Sequence, residues 1–275
     1  MKFPELNKAR FRESFDEAWA NNVSLSGSLV EFQINRSELA RGLRFVSEFA
    51  SKDRKSEMLL DTIKMTLLEV EDGQAIRLTA TDLYKCGGYY VRLERPVNYY
   101  KDADIADVDC IDEGLGDGAG RHFLLGRDDV KNLLNLLKDE EHLDSAQNAI
   151  ANAFVSISLT SNRIAWQPQI LSTSSMFMKP IEGKSHKVES VIPKKEKLTN
   201  DIPNGIVLGS EHLQKTINAF KHAKVDPVHV RFQGAEAPVW VTPSKWWAFG
   251  KSCYPFGLIM PVESKALKHV AKDLI

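Results

Sequence analysis

The 275-residue sequence has few cysteines and no long apolar run. Its three cysteines, Cys86, Cys110 and Cys253, are an odd number without C-x-x-C spacing, which argues against a disulfide framework and a thiolate zinc site. The longest apolar runs, such as residues 256–262, are far shorter than the ~20 residues that a membrane-spanning helix needs. The charged N-terminus lacks the apolar core of a secretory signal. We therefore expect structural thiols in a cytoplasmic protein.

An excess of either charge is also missing. The sequence has 36 Lys+Arg against 37 Asp+Glu, which gives a net charge of −1, and 43% of its residues are hydrophobic. These values are typical of an ordinary globular chain and argue against disorder, collagen and membrane spans. The length corresponds to about two domains. Near-zero net charge does not exclude nucleic acid as a partner, because binding needs only one basic surface.

Motifs for catalysis or cofactor binding are absent or occur in the wrong context. Gly114-x-Gly116-x-x-Ala119 precedes a predicted strand rather than the helix of a dinucleotide site, and Gly250-Lys251-Ser252 lacks the first glycine of a phosphate loop. No H-E-x-x-H or G-x-S-x-G motif occurs. The aspartates of residues 101–120 do not have the spacing of a calcium loop; they are Asp102, Asp104, Asp107, Asp109 and Asp112. We expect no enzyme activity, metal or cofactor, although a carboxylate pair formed by folding stays open as a catalytic site.

One pattern, a strand followed by a helix and three strands, occurs three times. We call these copies units 1, 2 and 3, and they predict an α+β fold built from half-domain repeats. The predicted strands are 29–35, 63–70, 75–81 and 87–93 in unit 1; 122–126, 154–159, 163–167 and 175–181 in unit 2; and 206–209, 228–232, 239–242 and 256–262 in unit 3. Asn35 and Glu38 predict a capping box for the first helix, and Ser210 is the predicted cap of the third.

Each predicted helix has an apolar stripe that should face the core. The stripes are Leu39, Leu43, Val46 and Ala50; Val130, Leu133, Leu134 and Leu137; and Leu213, Ile217 and Phe220. Residues 4–22 predict a further amphipathic helix, and the acidic, glycine-rich residues 101–120 predict a solvated loop. The chain then divides into an N-terminal extension (1–28), a domain of two units (29–188), a half-domain (189–262) and a tail (263–275).

The first predicted helix has a basic face opposite its apolar stripe. Helical spacing aligns Arg41, Arg44, Glu48, Lys52 and Lys55, of which four are basic. The other two helices add Lys131, Lys215 and Lys221. Such a row can follow DNA phosphates without reading bases, and it can equally be a solvated surface.

Paired aromatic residues occur at Tyr89-Tyr90, Tyr99-Tyr100 and Trp246-Trp247. Neighbouring residues of a strand face opposite ways, so we expect one member of each pair in the core rather than a base-stacking platform.

The repeated unit, together with three local sequences, resembles the bacterial β-type DNA sliding clamps. Residues 76–82 (IRLTATD) are similar to the family's strand and "ATD" turn, although Leu83 stands where the family usually has glycine. Residues 181–194 are similar to the connector that leaves the family's middle domain, and residues 256–262 (FGLIMPV) to its closing strand. The resemblance covers about residues 29–262.

The resemblance implies a role in DNA replication. A sliding clamp acts as a processivity factor, which keeps a polymerase on double-stranded DNA and has a pocket for short apolar peptides of polymerases and clamp loaders. Carried over position by position, this pocket would contain Thr81, Asp82, Tyr84, Val191, Leu258, Met260 and Pro261. An apolar cleft with a flexible methionine is suited to varied peptide anchors. The alternative is that Leu258, Met260 and Pro261 are ordinary residues at a sheet edge.

Chains of the family carry twice as many units as this one, and two of them close a ring. A homo-oligomeric ring of this shorter chain is therefore one expectation. The alternative is a monomeric, ring-less clamp relative that binds or regulates replication proteins, with the N-terminal helix on the exposed half-domain. An enzyme on the same scaffold is a third hypothesis, which requires a cleft with convergent titratable groups.

Overall fold

The protein has an α+β architecture, as the sequence predicts. In this computed structural model the described residues are 30–52, 59–70, 73–93, 98–99, 122–137, 154–159, 164–167, 176–178, 181, 206–232, 237–245 and 255–261. The predicted helix at residues 4–22, the acidic residues 101–120, Lys55 and Val191 lie outside them. No helix in the described part of the chain is long and apolar enough to cross a membrane.

The observed elements follow the predicted order of three units. The helices are α1 (Arg36–Ser47), α2 (Arg127–Leu136) and α3 (Ser210–His222). The strands are β1 (Val30–Asn35), β2 (Thr62–Val70), β3 (Gly73–Thr81), β4 (Lys85–Arg92), β5 (Asn98–Tyr99), β6 (His122–Gly126), β7 (Phe154–Leu159), β8 (Ile164–Gln167), β9 (Met176–Met178), β10 (Val228–Arg231), β11 (Val239–Pro243) and β12 (Phe256–Ile259).

Units 1 and 2 exchange their first strands. The five-stranded sheet has the order β5-β1-β7-β8-β9, so β1 of unit 1 extends the sheet of unit 2. The seven-stranded sheet has the order β10-β11-β12-β4-β3-β2-β6, so β6 of unit 2 extends the sheet of unit 1. Both exchanged pairs are antiparallel, with Asn35 opposite Phe154 and Gly126 opposite Thr62. Neither unit completes its sheet without the other.

Helix α1 begins with half of the predicted capping box. The Asn35 side chain accepts a hydrogen bond from the Glu38 backbone N–H at 3.1 Å, which satisfies one free donor of the first turn. The Glu38 carboxylate turns elsewhere and accepts hydrogen bonds from Arg41 at 2.6 Å and from the Tyr89 hydroxyl at 3.0 Å. Burial and the neighbouring Glu38 carboxylate raise the pKa of Tyr89. Glu38 therefore anchors α1 to β4 instead of closing the cap.

A buried arginine joins α1 to the end of α2. Arg36 donates hydrogen bonds from Nε to the Leu137 carbonyl at 3.0 Å and from Nη2 to the Leu136 carbonyl at 2.8 Å. The last carbonyls of a helix lack partners within the helix, and they carry the negative end of its dipole. The Arg36 guanidinium donates hydrogen bonds to these carbonyls and places a positive charge at the negative end of the dipole. It therefore holds the end of α2 against the start of α1.

Unit 3 joins unit 1 through the pairing of β4 with β12, which we call the junction. Phe256 lies opposite Gly88 and Gly257 opposite Gly87. A Cβ atom on Gly87 would lie 2.3 Å from the Phe49 ring, and one on Gly257 would lie 3.1 Å from it. The two glycines therefore leave the space that the Phe49 ring fills. Phe45 continues this aromatic layer to Phe220 of α3, with ring centroids 5.1 Å apart.

Unit 3 differs from the prediction at its start. Residues 206–209 are not a strand, and no described strand lies beside them to provide a hydrogen-bonding edge. The N-cap of α3 is Gly209 rather than Ser210, and it makes no side-chain capping bond.

The helix stripes are mostly buried as predicted. Leu39, Leu43 and Val46 are fully buried, whereas the third stripe is only partly so, because Leu213 is 39% exposed. Of the first aromatic pair, Tyr89 is in the core and Tyr90 is half-buried, as alternation predicts.

We expect the variant Gly87→Ala to lower the free energy of unfolding by about 1–3 kcal/mol, because its methyl group would overlap the Phe49 ring. Urea denaturation followed by circular dichroism measures this change. The double variant Gly87→Ala with Phe49→Leu frees space for the methyl group, so its loss should be smaller than the sum of the two single losses. Additive losses would show that the two side chains do not compete for one space.

Candidate functional site

The turn between β3 and β4 is held by two side chains. The Thr81 hydroxyl donates to the Lys85 carbonyl at 2.9 Å and accepts from the Leu83 N–H at 3.1 Å. The Asp82 carboxylate accepts from the N–H groups of Tyr84 and Lys85 at 3.1 and 2.9 Å. Short polar side chains of this kind replace backbone partners in tight turns. The turn residues therefore have a defined conformation although they are at the surface.

Leu83 occupies a left-handed backbone conformation in this turn, with a φ of +76°. This region suits glycine and is costly for a side chain that carries a Cβ atom. The structure thus gives a reason for the glycine that the family usually has here. In this chain the leucine side chain projects to solvent and is 56% exposed.

Lys85 is a buried cation paired with the same turn. Its ammonium lies 2.7 Å from Asp82 Oδ2, and its side chain is fully buried. Burial lowers the pKa of Lys85, and the hydrogen bond and charge of Asp82 oppose that shift. The ammonium also lies 5.7 Å from the centre of the Phe49 ring. Asp82 therefore shapes the turn and compensates the buried charge at once.

Strand β12 brings the end of unit 3 to this turn. The Met260 N–H donates to the Tyr84 carbonyl at 2.8 Å. Leu83, Tyr84 and Met260 are exposed to 56%, 62% and 36%, so three large apolar side chains of this region face solvent. His212, at the start of α3, stacks on the Tyr84 ring with centroids 5.3 Å apart and planes 24° apart. We call Leu83, Tyr84, Met260 and His212 the junction patch.

Six of the seven residues predicted for the pocket are described, and they come together at the junction. Thr81 and Asp82 are internal supports of the turn, and Tyr84 and Met260 form its exposed surface. Leu258 is only 2% exposed and packs with Cys86, Trp240 and Phe256, so it lies beneath the surface. Pro261 follows Met260 and is half-buried.

Sequence reasoning missed His212 and Lys85. Lys85 adjoins the predicted turn, and its buried charge has no signal in the local pattern. His212 comes from a helix far away in the sequence, so only the β4–β12 pairing brings it to Tyr84.

The predicted DNA-contacting cations lie on the helices and the loop after α1. Arg44, Lys52, Lys131 and Lys221 are exposed. Arg41 pairs with Glu38 of α1 at 2.6 Å, and Lys215 pairs with Glu211 of α3 at 2.5 Å. Such pairs reduce the positive charge that a phosphate would meet.

A cleft of about 690 Å³ collects three of these cations. Its walls come from the end of α1, the start of β2, the start of α2 and one residue of α3. Four cations and three carboxylates line it, namely Lys52, Arg127, Lys131, Lys215, Glu48, Asp61 and Asp128. Arg127 is a cation that the sequence reasoning did not select. The balance of charges makes the cleft weakly positive.

Comparisons with known proteins identify the fold. No family model matches the chain, and no curated protein matches its sequence. Among solved structures, the β subunit of DNA polymerase III from Pseudomonas aeruginosa is similar at 13% identity and a TM-score of 0.59, covering 88% of this chain and 69% of that one. The β subunit from Thermotoga maritima has 13% identity and a TM-score of 0.55, over 88% and 68% of the two chains.

A sliding clamp from Bartonella birtlesii, solved bound to griselimycin, has 16% identity and a TM-score of 0.54, and covers 88% of this chain and 68% of that one. The chain therefore has the fold of the bacterial β sliding clamps.

Proposed function

We propose that this protein is a sliding-clamp-like processivity factor, which holds a replicative DNA polymerase on duplex DNA and catalyses no reaction. The observation that carries the proposal is the junction patch. Strands β4 and β12 bring exposed apolar side chains together at the place where the clamp resemblance puts a partner-peptide pocket. The partners would be polymerases and clamp-loader-type proteins of the cytoplasm, and no cofactor is required.

The chemistry of the junction patch suits a short apolar peptide. Met260 has a flexible, polarisable side chain that adapts to different anchors. Tyr84 offers a large ring with a polar tip, and His212 extends that ring surface by stacking on it. Because Asp82 fixes the turn beneath them, a peptide would meet a largely formed surface and lose less entropy on binding.

The helix face would provide the contact with DNA. Its exposed cations can approach phosphates, and its ion pairs keep the attraction weak. Contacts to phosphates alone carry no sequence information, and weak contacts allow a protein to slide. The proposal therefore assigns Arg41, Arg44, Lys52, Lys131, Lys215 and Lys221 to the DNA backbone, and Lys55 with them from the sequence.

A second candidate keeps the pocket without the ring. The observation that favours it is the number of units, because the described residues form three half-domain units, which leaves one of them without a partner unit in that part of the chain. Retention on circular and linear DNA separates the candidates. A ring remains on closed circular DNA and is lost from linear DNA, whereas a ring-less protein dissociates equally from both.

Griselimycin, the ligand bound to the B. birtlesii clamp, provides a probe for the junction patch. We expect it to bind this protein, and we expect Met260→Asp to weaken binding at least about tenfold, because the carboxylate would be desolvated beneath the ligand. Isothermal titration calorimetry measures both affinities. Lys245→Asp is the control, because it places a carboxylate at an exposed position in the turn after β11, outside the junction patch. Equal affinities of wild type and Met260→Asp would remove the patch from the proposal.

The support under the patch is tested through Asp82. We expect Asp82→Ala to lower the free energy of unfolding by about 3 kcal/mol at neutral pH, because the buried Lys85 charge loses its partner. The double variant Asp82→Ala with Lys85→Met should lose less stability than Asp82→Ala alone, since it also removes the uncompensated charge.

The loss in Asp82→Ala should shrink as the pH rises towards 10.5. Asp82 opposes the lowering of the Lys85 pKa, so this pKa falls further in the folded variant. The variant therefore binds fewer protons when folded than wild type does, and its stability recovers more as the pH rises. Urea titrations between pH 7 and 10 measure this trend. A constant loss across this range would show that the lysine charge is not its cause.

The DNA face is tested by the salt dependence of duplex binding. Each lost phosphate contact should reduce the slope of log K against log salt by about 1, so Lys52→Gln with Lys131→Gln should reduce it by about 2. Fluorescence anisotropy with a labelled duplex gives the slopes. Lys245→Gln removes an exposed lysine from the turn after β11 and should leave the slope unchanged. Identical slopes for all three proteins would show that the helix face does not contact DNA.

A further inference from the structure

Units 1 and 2 show how one half-domain covers another. In each unit, the strand before the helix pairs with the first of the three later strands of the other unit, so that β1 pairs with β7 and β6 with β2. We call the strand before the helix the donor strand and the strand that it joins the host strand. The registers agree, because the residue just before the helix always lies opposite the first residue of the host strand. These pairs are Asn35 with Phe154 and Gly126 with Thr62.

Unit 3 has the same two elements, and neither has a partner in the described residues. Its host strand β10 is the last strand of the seven-stranded sheet and pairs only with β11 there. Its donor segment, residues 206–209, precedes α3 without strand pairing. In units 1 and 2 a donor never pairs with the host strand of its own unit, so unit 3 cannot satisfy itself in this way.

The exposed side chains of unit 3 mark the surface that is covered elsewhere. Leu213 is the fourth residue of α3 and is 39% exposed, whereas the fourth residues of α1 and α2, Leu39 and Val130, are 0% and 3% exposed. Val230 is the third residue of β10 and is 39% exposed, whereas the third residues of β2 and β7, Lys64 and Ser156, are 3% and 6% exposed. The same positions are therefore open in unit 3 alone.

We propose that a second copy of this chain covers unit 3, by exchanging residues 206–209 onto β10 in both directions. A twofold axis between the copies would pair residues 206–209 of each copy with β10 of the other. Such a reciprocal contact is a closed isologous interface. The two copies of unit 3 then make one complete two-unit domain. Applied to this pair, the shared register places Gly209 of one copy opposite Val228 of the other.

The resulting pairs are chemically compatible. Continuing the register puts Leu208 opposite His229, Val207 opposite Val230 and Ile206 opposite Arg231. The central pair joins two β-branched residues, which favour strands and stabilise them across an antiparallel ladder. Added backbone pairing also removes the exposed edge of β10, an edge that otherwise invites non-specific association. Leu213 would move from solvent to the contact between two α3 helices.

Cysteine cross-linking tests the register in the full chain. One chain carries Val207→Cys and the other Val230→Cys, both in a Cys110→Ser, Cys253→Ser background, and the buried Cys86 is kept. Mild oxidation of the mixture should give a disulfide-linked pair on a non-reducing gel, and either chain alone should not. Leu208→Cys mixed with His229→Cys is run in parallel. Neighbouring antiparallel pairs alternate between Cα separations of about 5.5 and 4.5 Å, so the two mixtures together test both spacings.

Mass measurement tests the interface itself. Light scattering across a concentration series should give twice the mass of one chain, and Leu213→Asp should weaken this association at least about tenfold. Gln214→Glu is the matched control, because it adds a charge at the next exposed position of α3 without removing an apolar side chain, and its dimer should persist. Circular dichroism confirms that both variants are folded.

Three results would overturn the proposal. The first is a full-length chain that stays monomeric at all concentrations. If deleting residues 1–29 then allowed dimers to form, those residues would be the segment that covers unit 3. The second is an oligomer that Leu213→Asp does not weaken. The third is an oligomer in which neither cysteine mixture cross-links. None of these results depends on griselimycin or DNA binding, so the proposed function is tested separately.

Discussion

The pairing of β4 with β12 is the interaction on which the candidate site depends. It aligns the turn after β3 with the end of unit 3, so that Tyr84 and Met260 share a backbone hydrogen bond. The pairing is possible because Gly87 and Gly257 leave room for the Phe49 ring between helix and sheet. One close contact in the interior therefore determines which side chains meet at the surface.

Sequence periodicity was sufficient for most elements and for their order in three units. Strands of alternating polarity and helices with an apolar stripe have local signals, and β6 and β7 match their predicted bounds. Residues 206–209 have the composition of a strand, yet a strand also needs a neighbouring edge, which a local pattern cannot show. The exchange of β1 and β6 between units is likewise a property of the assembled sheets.

The candidate site likewise has residues with a local sequence signal and residues that only tertiary packing brings into place. The turn at Thr81 and Asp82 and the segment at Met260 are short linear motifs, so a family resemblance was enough to select them. His212 joins Tyr84 only through tertiary packing, and the burial of Leu258 follows from which face of the sheet it occupies. On the helix face, Lys52, Lys131 and Lys215 line one cleft together with Arg127, a cation that side-chain spacing did not select, and with Asp61, which comes from the segment just before β2.

The exchange of first strands also constrains how the chain acquires its structure during synthesis. Val30 pairs with Leu159, so β1 leaves the ribosome long before its host strand exists. Unit 1 must remain incomplete while unit 2 is translated, and contacts so distant in sequence form slowly because a long loop has to close. The nascent chain therefore exposes the apolar side chains of β1 for much of its elongation, which makes this interval the one in which aggregation or chaperone binding competes with folding.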